Sequence, residues 1–275
     1  MAKLHRTEVN NYINIAKEIR KEILGMLYRT KSPHLGSSFS IVEILVALYF
    51  RYLAISPAEC KSADRDRFIL SKGHGCPTLY AVLLHRGFLN RDVLNGFAIN
   101  EGVLEHHPTR NISYGIEVST GSLGHGLSIG AGMAIAAKFD KARYRTVVLM
   151  SDGELNEGSV WEAAMLAGHH GLDNLIAIVD YNKIQATGKT EEIVALEPLG
   201  DKWRSFGWEV QEIDGHDFEQ IINALESVPF KTDKPSVIIA HTAKGKGISF
   251  MENELLWHYR SPDAGEYKRA LKELL

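Results

Sequence analysis

The fold of this chain is decided by residues 145–182, RTVVLMSDGELNEGSVWEAAMLAGHHGLDNLIAIVDYN. Two short apolar runs, at 145–151 and 175–182, indicate buried strands, and the segment 158–171 between them indicates a helix. Fully apolar short strands that alternate with helices are typical of a parallel sheet whose two faces are both covered. We therefore predict an α/β fold, in which helices pack on both faces of a parallel sheet.

The same alternation extends in both directions from this stretch. Further strands are predicted at 67–73, RFILSKG, at 208–214, WEVQEID, and at 235–242, PSVIIAHT. Helices are predicted from the apolar stripe Val9, Ile13, Ala16, Ile19, Ile23 and Leu27, from about Ile41 to Tyr52, after Pro77, over 123–138, and from Asp217 with Gln220 as its capping-box partner.

Two irregular segments complete the predicted organisation. Residues 88–120 are rich in Gly, Asn and His, and loops of this length inside a compact domain are usually functional or disordered. The tail from about 245 indicates a loop followed by a short helix from Asp263. No linker or repeat divides the chain, so we expect residues 1–275 to form a single domain.

Composition and charge exclude several classes of protein. The chain has 31 basic and 34 acidic residues and a net charge of −3, whereas nucleic-acid binding favours a basic excess. Its most apolar run, IVEILVALYF, is far shorter than the roughly 20 residues of a membrane span and contains Glu43. The N-terminus lacks a signal-peptide pattern, and the two cysteines, Cys60 and Cys76, suit a reducing compartment. We expect a cytoplasmic protein that binds neither nucleic acid nor membrane.

Polar side chains follow the two central strands where each strand ends. Asp152 comes directly after the first of them, and Asn182 ends the second. Parallel strands place their carboxyl ends at one edge of a sheet, where ligands bind, so the two side chains can share a cation. One carboxylate and one amide oxygen suit magnesium, which takes further ligands from phosphate and water. A helix that begins near Gly158 adds a positive dipole end for phosphate, and the sequence therefore predicts a magnesium-diphosphate site.

The order of these motifs resembles a known cofactor signature. SDGELNEG, a helix, an apolar strand and YNKIQATG resemble the thiamine-diphosphate signature, an Asp-Gly pair followed about 30 residues later by Asn. More narrowly, the chain resembles the N-terminal half of transketolase over nearly its whole length. The motifs that carry this resemblance are SPHLGSS, SKGHG, EHHP, STGSLGHGLSIGAGMAIA, SDGELNEGSVWEAA, DYNKIQATG and FMENELLWHYRSP. The sequence departs from the family pattern at Ser151, at Tyr181, and in GSLGHG, where GPLGQG is commoner.

The resemblance implies roles for thirteen residues of this sequence. The implied magnesium ligands are Asp152, Asn182 and the backbone carbonyl of Ile184. The implied cofactor contacts also include Gly121, Ser122, Leu123, Gly153 and Glu154. The implied catalytic residues are His34, His74 and His107 in the donor-sugar channel, His258 in the tail, and Glu157 near the activation relay of the cofactor. Other histidines, including His106, His216 and His241, are expected to be structural, and the loop KGKG at 244–247 is expected to be solvated.

The resemblance also implies a partner. Transketolases carry a pyrimidine-binding domain, which supplies the activating glutamate, and a third domain, and this sequence contains neither. The expectation is the N-terminal subunit of a split transketolase of the pentose phosphate pathway, in a heterotetramer with two copies of a C-terminal subunit. Such an enzyme would use thiamine diphosphate and magnesium to move a two-carbon ketol unit from a ketose phosphate to an aldose.

The sequence is also compatible with two other kinds of function. One is a different thiamine enzyme, similar to deoxyxylulose-phosphate synthase or to the α subunit of a 2-oxo acid dehydrogenase. The other is a regulatory homologue that keeps the fold without turnover. Histidines placed for sugar hydroxyls favour transketolase, and the intact pair Asp152 and Asn182 argues against the regulatory homologue. A nicotinamide-binding domain is poorly supported, since no GxGxxG follows the first strand.

Overall fold

A computed structural model of the chain describes residues 4–275 and contains one sheet of five parallel strands. The strands are β1 (Arg67–Leu70), β2 (Thr146–Ser151), β3 (Leu175–Tyr181), β4 (Glu209–Asp214) and β5 (Ser236–His241). Their order across the sheet is β1-β2-β3-β5-β4, and every pairing is parallel. The predicted fold class is therefore confirmed.

The central strands are apolar because both of their faces are covered. Every residue of β2 and β3 is buried, whereas most of the edge strand β4 is at least partly exposed. Val147 and Leu149 face one apolar core, and Val148 and Met150 face a second core on the other side of the sheet. This alternation follows from the two-residue period of a strand.

Helices supply the other half of each core. The α-helices are α1 (Arg6–Thr30), α2 (Leu35–Phe39), α3 (Val42–Ala47), α4 (Cys76–His85), α5 (Arg91–Asn95), α6 (Gly126–Phe139), α7 (Gly158–His169), α8 (Thr190–Ile193), α9 (Leu199–Ser205), α10 (Phe218–Glu226) and α11 (Ala264–Glu273). Side chains of α1, α3, α4 and α10 pack in the first core, and those of α6, α7 and α9 pack in the second. Among residues 4–275, no helix combines the length and apolar character that crossing a membrane requires.

Local details differ from the predictions at two helices. The helix expected from Ile41 to Tyr52 is split, because α3 widens into a π-helical turn over Leu48–Tyr52. Asp217 caps α10 by accepting hydrogen bonds from the N–H groups of Glu219 and Gln220, as expected. The side-chain oxygen of Gln220, however, accepts from the N–H of Asp214 at the end of β4, so the predicted capping box does not close.

The tail returns to the first core. Residues from Thr242 to Pro262 form a long connection with a short 3-10 turn at Leu255–His258, and α11 follows with a complete capping box between Asp263 and Glu266. Tyr267 of α11 stacks on Tyr28 of α1, with their ring centroids 4.3 Å apart. This docking carries the turn at Leu255–His258 across the carboxyl ends of the strands.

Candidate functional site

A cavity of about 280 Å³ opens at the carboxyl ends of the strands. Pairing of Ser151 with Asp180 and of Tyr181 with His241 brings the ends of β2, β3 and β5 together at this edge. Ten of the thirteen predicted site residues line the cavity: His34, His74, His107, Gly121, Leu123, Asp152, Gly153, Asn182, Ile184 and His258. The remaining three, Ser122, Glu154 and Glu157, do not line it.

Asp152 lies at the floor of the cavity and is 1% exposed. Its carboxylate accepts hydrogen bonds from the N–H groups of Gly153 (2.8 Å) and Lys183 (2.7 Å) and from the hydroxyl of Thr190 (3.0 Å). Burial, together with the charge of Asp180, raises the pKa of this carboxyl. Within residues 4–275 no basic side chain forms a salt bridge with it, and a buried carboxylate without such a partner suits a bound cation.

Asn182 and Ile184 bring two more oxygen atoms to the same cavity. The side-chain oxygen of Asn182 accepts from the N–H of Ile184 at 3.1 Å, and its amide nitrogen donates to Asp180 at 3.0 Å. Together with Asp152 they form a set of hard oxygen donors, which is the chemistry that magnesium prefers. No group of three His, Cys, Asp or Glu side chains within residues 4–275 forms a metal site, so this mixed set is the candidate.

A buried ion pair, which was not predicted from the sequence, lies next to Asn182. The Nζ atom of Lys72 lies 2.5 Å from a carboxylate oxygen of Asp180, and both side chains are fully buried. Ser40 and Thr242 also donate to Asp180. Burial alone would raise the pKa of Asp180, but the Lys72 ammonium and the hydroxyl donors outweigh it, and the pKa lies below its usual range.

Lys244 corrects the expectation of a solvated KGKG loop. Its side chain is buried and lines the cavity, because the N–H of Gly245 donates to Gly36 and the carbonyl of Lys244 accepts from the N–H of Asn253. The ammonium donates to the carbonyl of Ile184 at 2.9 Å. Burial, with a smaller effect of Lys72, lowers the pKa of Lys244 to about 8. The KGKG motif only alternates Lys with Gly, so no pattern within it distinguishes the inward-facing Lys244 from a solvated lysine.

Four histidines come together and form a second wall of the cavity. The ring centroid of His34 lies 5.1 Å from that of His258, 5.4 Å from that of His74 and 6.3 Å from that of His107. Burial lowers the pKa of His34 to about 4 and that of His258 to about 3, and it lowers the pKa of His74 well below the usual range. These rings are therefore neutral near pH 7, and each can both donate and accept a hydrogen bond. Such a wall suits a polyhydroxylated ligand.

The three predicted residues outside the cavity have other contacts. Glu154 is fully buried and accepts hydrogen bonds from the hydroxyl of Ser71 and from the N–H of Gly124, so it holds the loop before α6. Glu157 is exposed at the N-terminus of α7, and Ser122 is exposed in the loop before α6. The other eight histidines do not line this cavity.

The comparisons with known proteins agree with this geometry. A family model described as the thiamine diphosphate binding domain of transketolase matches residues 12–272. The chain belongs to the transketolase family. This transketolase domain is 46% identical over 255 residues to one of the subunits of the apulose-4-phosphate transketolase of Phocaeicola vulgatus, and the match covers 93% of this chain and 90% of the relative. It is 44% identical over 259 residues to the 6-deoxy-6-sulfo-D-fructose transketolase subunit SqwG of a Clostridium species, and that match covers 94% of each.

Solved transketolases share the fold but are much longer. The structure of Campylobacter jejuni transketolase matches with a TM-score of 0.88 and 29% identity, over 98% of this chain and 43% of that chain. Leishmania mexicana transketolase matches with a TM-score of 0.87 and 29% identity, over 94% and 40%. The chain therefore spans about two fifths of the length of these solved transketolases, whereas it spans at least 90% of the two subunits above.

Proposed function

We propose that this transketolase domain holds thiamine diphosphate with magnesium in the cavity and, with a partner chain, transfers a two-carbon ketol unit from a ketose phosphate to an aldose. The observation that carries the proposal is one cavity with two chemically different walls. Asp152, Asn182 and Lys244 form what we call the diphosphate wall, and His34, His74, His107 and His258 form the histidine wall. A charged diphosphate suits the first wall, and a sugar chain suits the second.

The diphosphate wall has charge and space for its ligand. Asp152, the amide oxygen of Asn182 and the carbonyl of Ile184 would hold magnesium, whose charge would balance the buried carboxylate. The Lys244 ammonium offers a direct positive charge to a phosphate oxygen. Gly153 lines the cavity without a side chain, so that its backbone can be approached closely.

The histidine wall would bind and orient the sugar. Thiamine diphosphate, when bound, supplies the electron sink that cleavage of a carbon–carbon bond beside a carbonyl requires. A neutral imidazole can accept a proton from a sugar hydroxyl and return it, so His34, His74, His107 and His258 are proposed to bind hydroxyls and move protons. The histidine wall favours a sugar donor over a 2-oxo acid, because a 2-oxo acid lacks the chain of hydroxyls that these rings would bind.

A partner chain would complete the site. Residues 1–275 are proposed as a single diphosphate-binding domain, and no glutamate within residues 4–275 lines the cavity. The activating carboxylate, the pyrimidine pocket and part of the sugar site would come from a C-terminal subunit, in a heterotetramer with two copies of each chain. Large apolar side chains lie exposed on α6 and α7 and suit such an interface: Ile135, Phe139, Met165 and Leu166.

The relatives guide the choice of substrate. One is named for apulose 4-phosphate and the other for 6-deoxy-6-sulfo-D-fructose, so an anionic group at the far end of a ketose is common to both names. We therefore propose a ketose with a terminal phosphate as the donor, used in the cytoplasm, and this class includes sugars other than the pentose phosphates.

The test is an activity assay of the chain mixed with its candidate partner, with magnesium and thiamine diphosphate in excess. The donors are xylulose 5-phosphate, apulose 4-phosphate, 6-deoxy-6-sulfofructose, hydroxypyruvate and pyruvate. Formation of a ketol-extended aldose from a ketose donor supports the proposal. Turnover of pyruvate alone would indicate a 2-oxo acid enzyme. Cofactor binding without turnover of any donor would indicate a regulatory homologue.

A further inference from the structure

Gln185 carries an unpaired hydrogen-bond donor in the wall of the cavity. It follows β3 by four residues, and its backbone is tied at both ends, since its N–H donates to Gly188 and its carbonyl accepts from Lys244. Its side-chain nitrogen Nε2 is buried and has no hydrogen-bond partner within residues 4–275. Among the buried side-chain nitrogen and oxygen atoms of residues 4–275 that lack a hydrogen-bond partner, Nε2 of Gln185 is the one whose residue lines the cavity.

The orientation of this amide is set from the opposite loop. The side-chain oxygen of Gln185 accepts a hydrogen bond from the amide nitrogen of Asn156 at 3.3 Å. In this arrangement the NH2 group of Gln185 is directed away from Asn156. Gly153 lies against the same side chain, because a Cβ atom at Gly153 would meet Cγ of Gln185 at 3.3 Å and Cδ at 3.4 Å.

The surroundings favour an anionic acceptor for this donor. The nearest carboxylate of the cavity floor, Asp152, already accepts from Gly153, Lys183 and Thr190. The Lys244 ammonium beside the Gln185 carbonyl is a donor and cannot accept. A buried donor without an acceptor is unfavourable, whereas a donor aimed at a charged oxygen forms one of the stronger kinds of hydrogen bond.

We propose that Gln185 is a further cofactor-binding residue, whose Nε2 donates to an oxygen of the diphosphate. Asn156 is then a positioning residue, since it acts by holding the Gln185 amide in the donating orientation. This inference rests on the proposed binding of thiamine diphosphate in the same cavity. It adds to the diphosphate wall a neutral donor from the residue that follows Ile184 and packs on Gly153.

The test compares two variants. Gln185→Met keeps the length of the side chain and removes the donor, whereas Gln185→Glu replaces the donor by a negative charge, which repels the diphosphate. Dissociation constants are measured by calorimetry for thiamine diphosphate, thiamine monophosphate and thiamine, in magnesium and with the partner chain present. A lost hydrogen bond to a charged group predicts about tenfold weaker thiamine diphosphate binding for Gln185→Met. Gln185→Glu should bind more weakly still, Asn156→Ala should lose a smaller factor, and thiamine itself should bind all variants equally.

Two controls separate this role from a structural one. Gln211→Met changes an exposed glutamine on β4 and should bind as the wild type does. Without ligand, Gln185→Met should unfold at the same temperature as the wild type or higher, because it removes an unpaired buried donor; a structural role predicts a lower temperature. If the wild type binds and Asp152→Asn does not, but Gln185→Met binds as the wild type does, this inference is wrong and the proposed function stands. If the wild type itself fails to bind, the proposed function is wrong.

Discussion

The ammonium group of Lys244 lies 2.9 Å from the backbone carbonyl oxygen of Ile184, one of the three oxygen atoms predicted to bind magnesium. A carbonyl oxygen has two lone pairs, so it can accept from Lys244 and still face a cation. The loop that follows β5 is thereby joined to the loop that follows β3 at the diphosphate wall. Positive charge would reach the diphosphate both from the metal and from a side chain of a different loop.

Replacing Asp152 by Asn should abolish magnesium-dependent binding of thiamine diphosphate while the fold survives. The buried carboxylate is the one negative ligand in the proposed metal set, and Asn removes its charge while it keeps the shape of the side chain and one oxygen acceptor. Calorimetry measures the affinity, and circular dichroism measures the fold. Asp201→Asn, on the exposed surface of α9, is the matched control. Wild-type affinity in Asp152→Asn would place the metal elsewhere.

Replacing Lys244 by Met should weaken diphosphate binding by about 10- to 100-fold, which corresponds to a lost charged hydrogen bond. Because the pKa of Lys244 is lowered to about 8, the free chain loses this charge as the pH rises through about 8. Affinity of the wild type should therefore fall from pH 8 upward, and that of Lys244→Met should not. Lys246→Met, whose side chain faces Glu252 on the same loop, should keep the wild-type dependence.

Replacing His107 by Ala should lower turnover of ketose donors by about 10²- to 10⁴-fold, the usual loss when one proton-transfer group is removed, with little change in cofactor affinity. Its ring lies on the histidine wall, against Gly121. Steady-state kinetics of the complex with its partner measures turnover, and calorimetry measures the cofactor. His106→Ala removes an exposed neighbour outside the cavity and should leave both unchanged. An equal loss of cofactor affinity in His107→Ala would move this residue to the diphosphate wall.

Acid should destabilise the chain through Glu43, which belongs to a buried network and does not line the cavity. Burial alone would raise the pKa of Glu43, but its bonds with Arg20 (2.7 Å) and His216 (3.0 Å) lower it to about 2. A carboxyl with a lowered pKa stabilises the fold above its ordinary pKa of about 4.5, and this contribution is lost as the pH falls towards 2. It amounts to about 3 kcal/mol at neutral pH.

The matching experiment is urea unfolding from pH 7 to pH 2. Glu43→Gln should be less stable at pH 7, because Arg20 loses its buried partner, and its stability should depend less on pH below about 4.5. Glu18→Gln, an exposed carboxyl on α1, should keep the wild-type pH dependence. An unchanged acid dependence in Glu43→Gln would show that other carboxyls account for it.

The chain alone should show no ketol transfer, and addition of the partner should restore it. The proposed site would hold the diphosphate and a sugar chain. No glutamate of residues 4–275 lines the cavity, so the carboxyl that protonates the pyrimidine ring would come from another chain. Transfer from hydroxypyruvate, measured with saturating magnesium and thiamine diphosphate, distinguishes the two states. Full activity of the chain alone would require an activating carboxylate from a second copy of this chain.

The strand pattern and the motifs at strand ends were readable from the sequence because they depend on local periodicity. Two apolar runs that end in Asp152 and Asn182 predicted both the parallel sheet and the shared edge, since parallel strands place their carboxyl ends together. The four histidines of the cavity were predicted from motifs that resemble those of the transketolase family. They could not be placed together from spacing alone, because 224 residues separate His34 from His258.

Other features depended on contacts between distant segments, which no local pattern encodes. Lys72 and Asp180 are 108 residues apart, and their ion pair forms only when β1 and β3 lie on either side of β2. Lys244 looks like a solvated loop residue until Gly36 and Asn253 hold its backbone against the cavity. Glu154 sits beside the cofactor motif in sequence, yet its carboxylate faces Ser71. Which polar groups are buried, and what they face, is thus set by tertiary packing, because burying a charge is favourable only where distant partners supply its hydrogen bonds.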